Sequence, residues 1–300
     1  MENCLFIGNG INRVEKVGVS WEKLLQKIYK EDTKPISDSL GMTIRYEYIE
    51  AKSEEKPIES KRKVANEVAA NSEIIKGKSI SYHMKLMQLP INSVLTTNYD
   101  YSLELVVNPL FVPTRVTSET IYSFRRKHIV ANKEIFHIHG ECRYPQSICL
   151  GFEHYAGTLE KMRSGLSRGT SKDEGKNRFQ LYDVLKCISE PGEEWYYKFF
   201  LDNIFFLGFG FDHTEEDIWW LITYRRKMMM QYPGLIKNRL VVLDTTLDSN
   251  ATKSEENAKR QVFNAMNIEV ISMAGRTRRE KYKNAISFLE NECKNIKQEQ

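Results

Sequence analysis

The sequence predicts an α/β fold: a Rossmann-like, mainly parallel sheet with helices on both faces and a small helical insertion. Three observations predict it. Short runs of apolar, β-branched and aromatic residues recur between helix-length segments, the order of a parallel sheet built through helical crossovers. Several of these runs are apolar at every position, so the sheet is expected to be covered on both faces. The 300 residues, 41% hydrophobic and 28% charged with 14 Phe, 15 Tyr and 4 Trp, have the balance of a globular chain long enough to bury a core.

Strands are expected at Cys4–Ile7, Ser93–Thr96, Glu134–Ile138, Ser147–Leu150, Ile204–Leu207, Leu240–Leu243 and Ile268–Ile271. Between them, helices are expected at Trp21–Lys30, Lys61–Ile75, Ser79–Leu89, Glu193–Leu201 and Ser254–Met266, with a further helix from Glu215 to Tyr224. Glu54–Lys63, charge-rich around Pro57, and Arg163–Arg178, which mixes Ser, Gly, Lys and Asp without periodicity, read as solvated loops. Leu247–Glu256 reads as a polar connection, and Ala285–Gln300 as a terminal helix with a fraying end. Trp219 and Trp220 are adjacent and cannot both point inward from one helix face, which places one of them on an expected subunit contact.

Composition narrows the function classes. The apolar stretch Asn203–Phe211 is closed by Asp202 and Asp212, well short of the ~20 residues a membrane helix needs. No membrane span is expected. The first residues lack a basic region and a secretory apolar core, so a cytoplasmic location is the default expectation. Cys4, Cys142, Cys149, Cys187 and Cys293 are scattered and never form a Cys-x-x-Cys pair, which reads as reduced thiols with neither a disulfide framework nor a zinc ribbon. Lys plus Arg exceeds Asp plus Glu by only 44 − 40 = 4, which leaves nucleic-acid binding unsupported.

The motifs fall at strand ends. Gly8-Asn9-Gly10-Ile11-Asn12-Arg13 follows the first strand and could bring backbone close to a phosphate. Arg13 stands where a dehydrogenase fingerprint wants glycine, and no acid ends a second strand about 20 residues on, so hydride-transfer chemistry is disfavoured. Lys76-Gly77-Lys78-Ser79 imitates a P-loop ending, but Ser72 replaces its first glycine and a helical pattern precedes it. Thr96-Thr97-Asn98-Tyr99-Asp100 follows the second strand, and in extended chain Asn98 and Asp100 would share a face. His137-Ile138-His139-Gly140 follows the third. His139, at the strand end, is the better base candidate, and His137, one pleat inward, reads as a core histidine. Gly208-Phe209-Gly210-Phe211-Asp212 and Asp244 close two later strands. Gly8, Asn98, His139, Gly208 and Asp244 thus all fall at the edge where open parallel sheets bind ligands.

In this order, Gly8-Asn9-Gly10-Ile11-Asn12, Thr97-Asn98-Tyr99-Asp100, His139-Gly140 and Gly208-Phe209-Gly210-Phe211-Asp212 resemble the sirtuin family, and more specifically its bacterial NAD-hydrolase branch. Ser20-Trp21-x-x-Leu24-Leu25, Ile148-x-Leu150 leading to Tyr155, and the helix after Asp212 are further echoes. The likeness runs from residue 3 to about 225. It implies that the two glycine turns hold NAD, through Gly8, Asn9, Gly10, Asn12, Thr97, Gly208, Gly210 and Asp212, with Asp244 added from its strand end. It implies too that Asn98 and Asp100 border the nicotinamide ribose and that His139 is the catalytic base. Residues 1–275 would then be an NAD-binding catalytic domain with insertions near 33–80 and 156–192, followed by a C-terminal helix over 276–300. The four-cysteine zinc module of protein-deacylating sirtuins has no counterpart here, so no metal is expected and peptide deacylation is disfavoured. Asn9 and Asn12 also depart from the small residues usual in that turn.

These residue types suit cleavage of an N-glycosidic bond. Nicotinamide leaves NAD as a neutral pyridine and needs no general acid, whereas the ribose develops positive charge that oxygen dipoles and a carboxylate stabilise. Asn98 could orient water or a ribose hydroxyl, and a histidine of ordinary pKa, about 6.5, could accept a proton near neutrality. NAD is therefore the expected substrate, with nicotinamide and ADP-ribose as products. The resemblance further implies an antiphage effector that depletes NAD, and the chain length suggests activation through a homo-oligomer or a partner subunit such as an ATPase. A non-catalytic module sensing NAD or ADP-ribose, and a protein deacylase or ADP-ribosyltransferase, are the alternatives.

Overall fold

A computed structural model describes residues 1–18, 20–29, 40–114, 121–168, 180–246 and 253–299. Its strands are β1 Asn3–Ile7, β2 Ser93–Thr96, β3 Lys127–Val130, β4 Lys133–His137, β5 Asn203–Leu207, β6 Leu240–Asp244 and β7 Glu269–Ser272. The first six helices are α1 Gly10–Val14, α2 Trp21–Tyr29, α3 Met42–Lys52, α4 Pro57–Ile75, α5 Tyr82–Gln88 and α6 Ser102–Val107. Then come α7 Phe152–Arg168, α8 Leu181–Leu185, α9 Lys198–Leu201, α10 Glu216–Gln231, α11 Lys253–Ala265 and α12 Arg278–Glu299.

The strands form one sheet in the order β3-β4-β2-β1-β5-β6-β7, parallel throughout except for the β3–β4 pair. Alternation along each strand sorts the core into two layers. Cys4, Phe6, Leu95, Phe136, Ile204, Phe206, Leu240 and Val242 pack on one side, with residues of α7 to α11. Leu5, Ile7, Val94, Ile135, Phe205, Leu207, Val241 and Leu243 pack on the other, with α1, α5, α6 and α12. Burial on both faces is the physical reason the runs are apolar at every position. A third, smaller cluster joins Leu24 and Leu25 of α2, Tyr46 and Ile49 of α3, and Val64, Ala65 and Val68 of α4 to Ile148 and Leu150.

Several expectations change. Ser147–Leu150 is not a strand: the chain reverses at Gly140, whose φ is +96, and 145–147 forms a single 3-10 turn. Cys149 N–H bonds back to the His139 carbonyl at 2.8 Å, while Ile148 and Leu150 face the third cluster instead of the sheet. Apolar content alone could not tell a sheet strand from an extended segment buried elsewhere. β3 escaped notice because Lys127 and His128 interrupt its apolar pattern, as suits an edge strand. It turns into β4 through Ala131 and Asn132, both at positive φ.

Glu54–Lys63 is not a loop throughout, since α4 begins at Pro57, where proline's fixed φ suits the first helical turn. Ser60 and Lys61 are buried there. α3 lies within 33–80, where an insertion was expected but no individual helix was placed, α10 runs past the expected Tyr224 to Gln231, and α12 starts ahead of Ala285, inside the 276–300 segment. The Glu193–Leu201 helix divides into a 3-10 turn at Trp195–Tyr197 and α9. Of Arg163–Arg178, the part up to Arg168 belongs to α7, and 169–178 lies outside the described residues. Residues 247–252 of the polar connection also lie outside them, and α11 starts at Lys253. Trp219 and Trp220 are both half-buried, Trp219 stacked on Phe263 and Trp220 on Tyr224. No helix among the described residues is long and apolar enough to cross a membrane.

Candidate active site

β1 and β5 lie side by side, yet the chain leaves β1 toward β2 on one side and leaves β5 toward β6 on the other. That divergence opens a crevice beyond their C-terminal ends. The two glycine turns meet across it. Gly8 N–H donates to the Leu207 carbonyl at 3.1 Å and Gly10 N–H to the Gly208 carbonyl at 2.8 Å. A Cβ on Gly8 would come within 2.6 Å of the Gly208 oxygen, and Gly208 has φ +71, so these glycines let one turn touch the other. Gly210 is different: a Cβ there would meet nothing within 4 Å. An outer cleft of about 420 Å³ is lined by Asn9, Gly10, Thr97, Gly208, Gly210, Asp212 and Asp244, all anticipated in the sequence.

Asn9, Trp21, Thr97 and Glu215 border both this cleft and an inner chamber of about 150 Å³, so the two are continuous. Asn98, Asp100, His139 and Tyr155 line the chamber. Asn98 is buried and its backbone is fully engaged: its N–H donates to Thr96 Oγ1 at 3.1 Å and its carbonyl faces His137 Nδ1 at 2.9 Å. Its side-chain amide has no hydrogen-bond partner among the described residues, and a buried amide left over in a cavity wall is suited to a ligand. His139, 2% exposed, places Nε2 at 2.9 Å from Asp217 Oδ2 and Nδ1 at 3.7 Å from Glu215 Oε2. The Asp217 bond assigns the proton to Nε2 and leaves Nδ1 as the acceptor. Burial alone would lower the imidazole pKa, but the Asp217 charge and hydrogen bond, aided by Glu215, raise it.

Asp217 is fully buried in the first turn of α10, where the helix dipole favours a negative charge, and its Oδ1 accepts the Ile218 N–H at 2.9 Å. Glu215, just before that turn, has a side chain 23% exposed, and burial pushes its pKa up to about 7 against the pull of His139. Tyr155 closes the chamber edge-on to His139, with ring centroids 5.3 Å apart.

Beneath the chamber lies a second set of buried ionisable groups. His137 bonds the Asn98 carbonyl through Nδ1 and Glu104 Oε1 through Nε2 at 2.7 Å. Burial would lower its pKa, but Glu104 carries it up to about 9. Alongside, Glu141 Oε2 is held by His128 Nε2 at 2.6 Å and the Tyr101 hydroxyl at 2.8 Å, with Arg126 Nε 3.4 Å from the other oxygen. Two groups of ligand-type atoms thus converge within 4.8 Å, His139–Glu215–Asp217 and His128–His137–Glu141, and each has the donor chemistry to take a cation. In the second, the Arg126 guanidinium already stands beside the carboxylate.

Not every anticipated residue reaches the cavities. Asn12 is 1% exposed and lines neither: its Nδ2 donates to Asp100 Oδ2 at 2.7 Å and its Oδ1 faces His83 Nε2 at 2.8 Å. It anchors the wall from behind. Gly8 also stays out of both linings and acts through turn-to-turn contact. Asp100 lines the chamber, but Asn12 and the Ser102 N–H at 3.0 Å occupy both of its oxygens, and burial raises its pKa. Asp244 is paired with Arg260 at 2.6 Å and accepts from Thr246. Glu215 and Asp217 were missed as chemistry, because acids at a helix start look like ordinary dipole compensation. Their one distinguishing signal is spacing, three and five residues after Asp212.

A family model described as the SIR2-like domain matches residues 92–271, more than half of the chain. A search of the curated proteins finds no match.

Proposed function

The chain belongs to the SIR2-like family, whose members are NAD-dependent enzymes, and on that premise we propose that it is an NAD glycohydrolase releasing nicotinamide and ADP-ribose. The observation that carries this reading is the inner chamber, where the unsatisfied Asn98 amide and the acceptor nitrogen of His139 stand together at the end of a dinucleotide-sized cleft. The glycine turns, Asn9, Thr97 and Gly210 would hold NAD in the outer cleft, with its nicotinamide end toward the chamber.

In the chamber, Asn98 orients the attacking water or a ribose hydroxyl. His139 Nδ1 accepts the proton given up, while Asp217 fixes the ring and compensates the imidazolium. Glu215 can relay that proton at neutral pH, because its carboxyl is held near 7. Its carboxylate, with that of Asp217, also places negative charge where the sugar becomes positive. The glycosidic bond itself supplies a neutral leaving group, so the chamber needs no acid on the nicotinamide side. The role assigned with this activity is antiphage defence by NAD depletion, with assembly or an activating partner such as an ATPase as the trigger; the resemblance to bacterial NAD hydrolases supports it.

Incubating the purified protein with NAD and separating the products by chromatography tests the proposal. Release of nicotinamide that stops in both Asn98→Ala and His139→Ala is the expected result. Tight NAD binding without turnover under every activating condition would favour the sensing module instead.

A further inference from the structure

The family match begins at residue 92 and ends at 271, yet the outer cleft is built partly from residues on either side of it. Arg13 of α1 and Arg278 and Tyr282 of α12 line its wall. Tyr282 is 1% exposed, and its hydroxyl lies against both glycine turns, since a Cβ on Gly208 would come within 2.6 Å of it. Arg278 precedes Tyr282 by one helical turn and so shares its face of α12. Both guanidiniums are close enough to act on that hydroxyl: burial pushes Tyr282 up to about 12, and Thr245, Arg278 and Arg13 oppose it.

The charge balance of the cleft is uneven. Asp244 is neutralised by Arg260 at 2.6 Å, and Asp212 accepts from Thr214 at 2.8 Å beside His213. Lys259 donates to the Gly210 carbonyl. The guanidiniums of Arg13 and Arg278, by contrast, make no ion pair or hydrogen bond among the described residues. Two uncompensated guanidiniums beside a backbone turn match a ligand carrying two adjacent negative charges, and arginine's planar fork suits phosphate oxygens.

We propose that Arg13 and Arg278 clamp the diphosphate of the dinucleotide between the glycine turns and α12, so that the C-terminal helix is a working part of the substrate site. This rests on reading the cleft as the NAD site, and its test separates the two. Calorimetric titration with ADP-ribose, which keeps the diphosphate and needs no turnover, is run on the full-length protein and on Arg13→Gln, Arg278→Gln, Arg278→Lys and Arg279→Gln. Arg279 is the neighbouring charge control, placed beside Tyr82 and outside the cleft wall.

Each glutamine variant should weaken ADP-ribose about tenfold, roughly 1.4 kcal/mol. Arg278→Lys should recover part of that loss, Arg279→Gln should bind like wild type, and melting temperatures should match throughout. Inorganic pyrophosphate should compete with ADP-ribose in wild type and compete less well in Arg278→Gln. Unchanged affinity in both glutamine variants would overturn the clamp and leave the NAD reading standing. An equal loss in Arg279→Gln would reduce the effect to overall charge and overturn the clamp as well. A wild-type protein that binds neither NAD nor ADP-ribose would remove the NAD reading and the clamp together.

Discussion

Two buried histidine–carboxylate pairs sit one pleat apart, at and just beyond the end of β4, and the outer one places its histidine in the chamber wall. His137 with Glu104 and His139 with Asp217 share the same chemistry, nearly the same burial and a similar short bond, 2.7 Å against 2.9 Å. They differ in the second ring nitrogen. His137 places it on the Asn98 carbonyl, so that ring is saturated and serves as a strut. His139 turns it toward Glu215 at 3.7 Å, too far for a direct bond, and keeps it available in the chamber wall. A buried histidine becomes a candidate base when one nitrogen is held and the other is spare, and burial alone does not distinguish the two cases.

The largest effect expected from this comparison is on chemistry. His139→Ala and Asn98→Ala should each lower nicotinamide release by roughly a thousandfold or more while NAD affinity stays within about tenfold. Full turnover in both variants would end the assignment. Asp217→Asn should come next, with a loss of roughly a hundredfold, because an amide can present a donor to Nε2 and reverse the tautomer. If turnover in Asp217→Asn matched wild type, the tautomer argument would fail.

His137→Gln should show the opposite pattern, a cost of about 3 kcal/mol in unfolding free energy with most activity per folded molecule retained, since it leaves Glu104 buried without its cation. Because His137 is raised from 6.5 to about 9 in the folded state, its stabilisation is complete below pH 6.5 and is lost as pH climbs through 9. Denaturant titrations across that range should slope downward for wild type and flatten for the variant. The smallest effect is expected at Glu215. Its removal as Glu215→Gln should cost severalfold at neutral pH and should delete from the pH–rate profile an ionisation near 7. A profile unchanged in shape would assign that ionisation elsewhere.

Bulk at Gly208 reads from the sequence as a way to block a ligand, yet a Cβ there meets the Tyr282 hydroxyl and the Gly10 Cα. Substitution at Gly208 therefore loads the fold first, and Gly210, where an added Cβ meets nothing within 4 Å, is the position where added bulk tests the cleft itself.

Much of this was written in the sequence. Six of the seven expected strands coincide with strands of the sheet to within a residue or so, because burial on both faces forces an uninterrupted apolar run that few other structures require. The strand-end placement of Asn98, His139, Gly208 and Asp244 was readable too, since the C-terminal edge of a parallel sheet follows from element order. What one dimension could not give was pairing. Asn12 looks like a ligand contact until Asp100 and His83 take both ends of its amide, 88 and 71 residues away. Glu215 and Asp217 look like the start of a helix until α10 is laid against His139, 78 residues distant from Asp217. Arg278 carries no signal at all until α12 crosses the first turn. Periodicity records which face of an element is buried, so the sequence determined the sheet and the edge at which its loops gather. Which polar groups are spent on one another and which are left over depends on contacts between distant segments, and that only the tertiary structure decided.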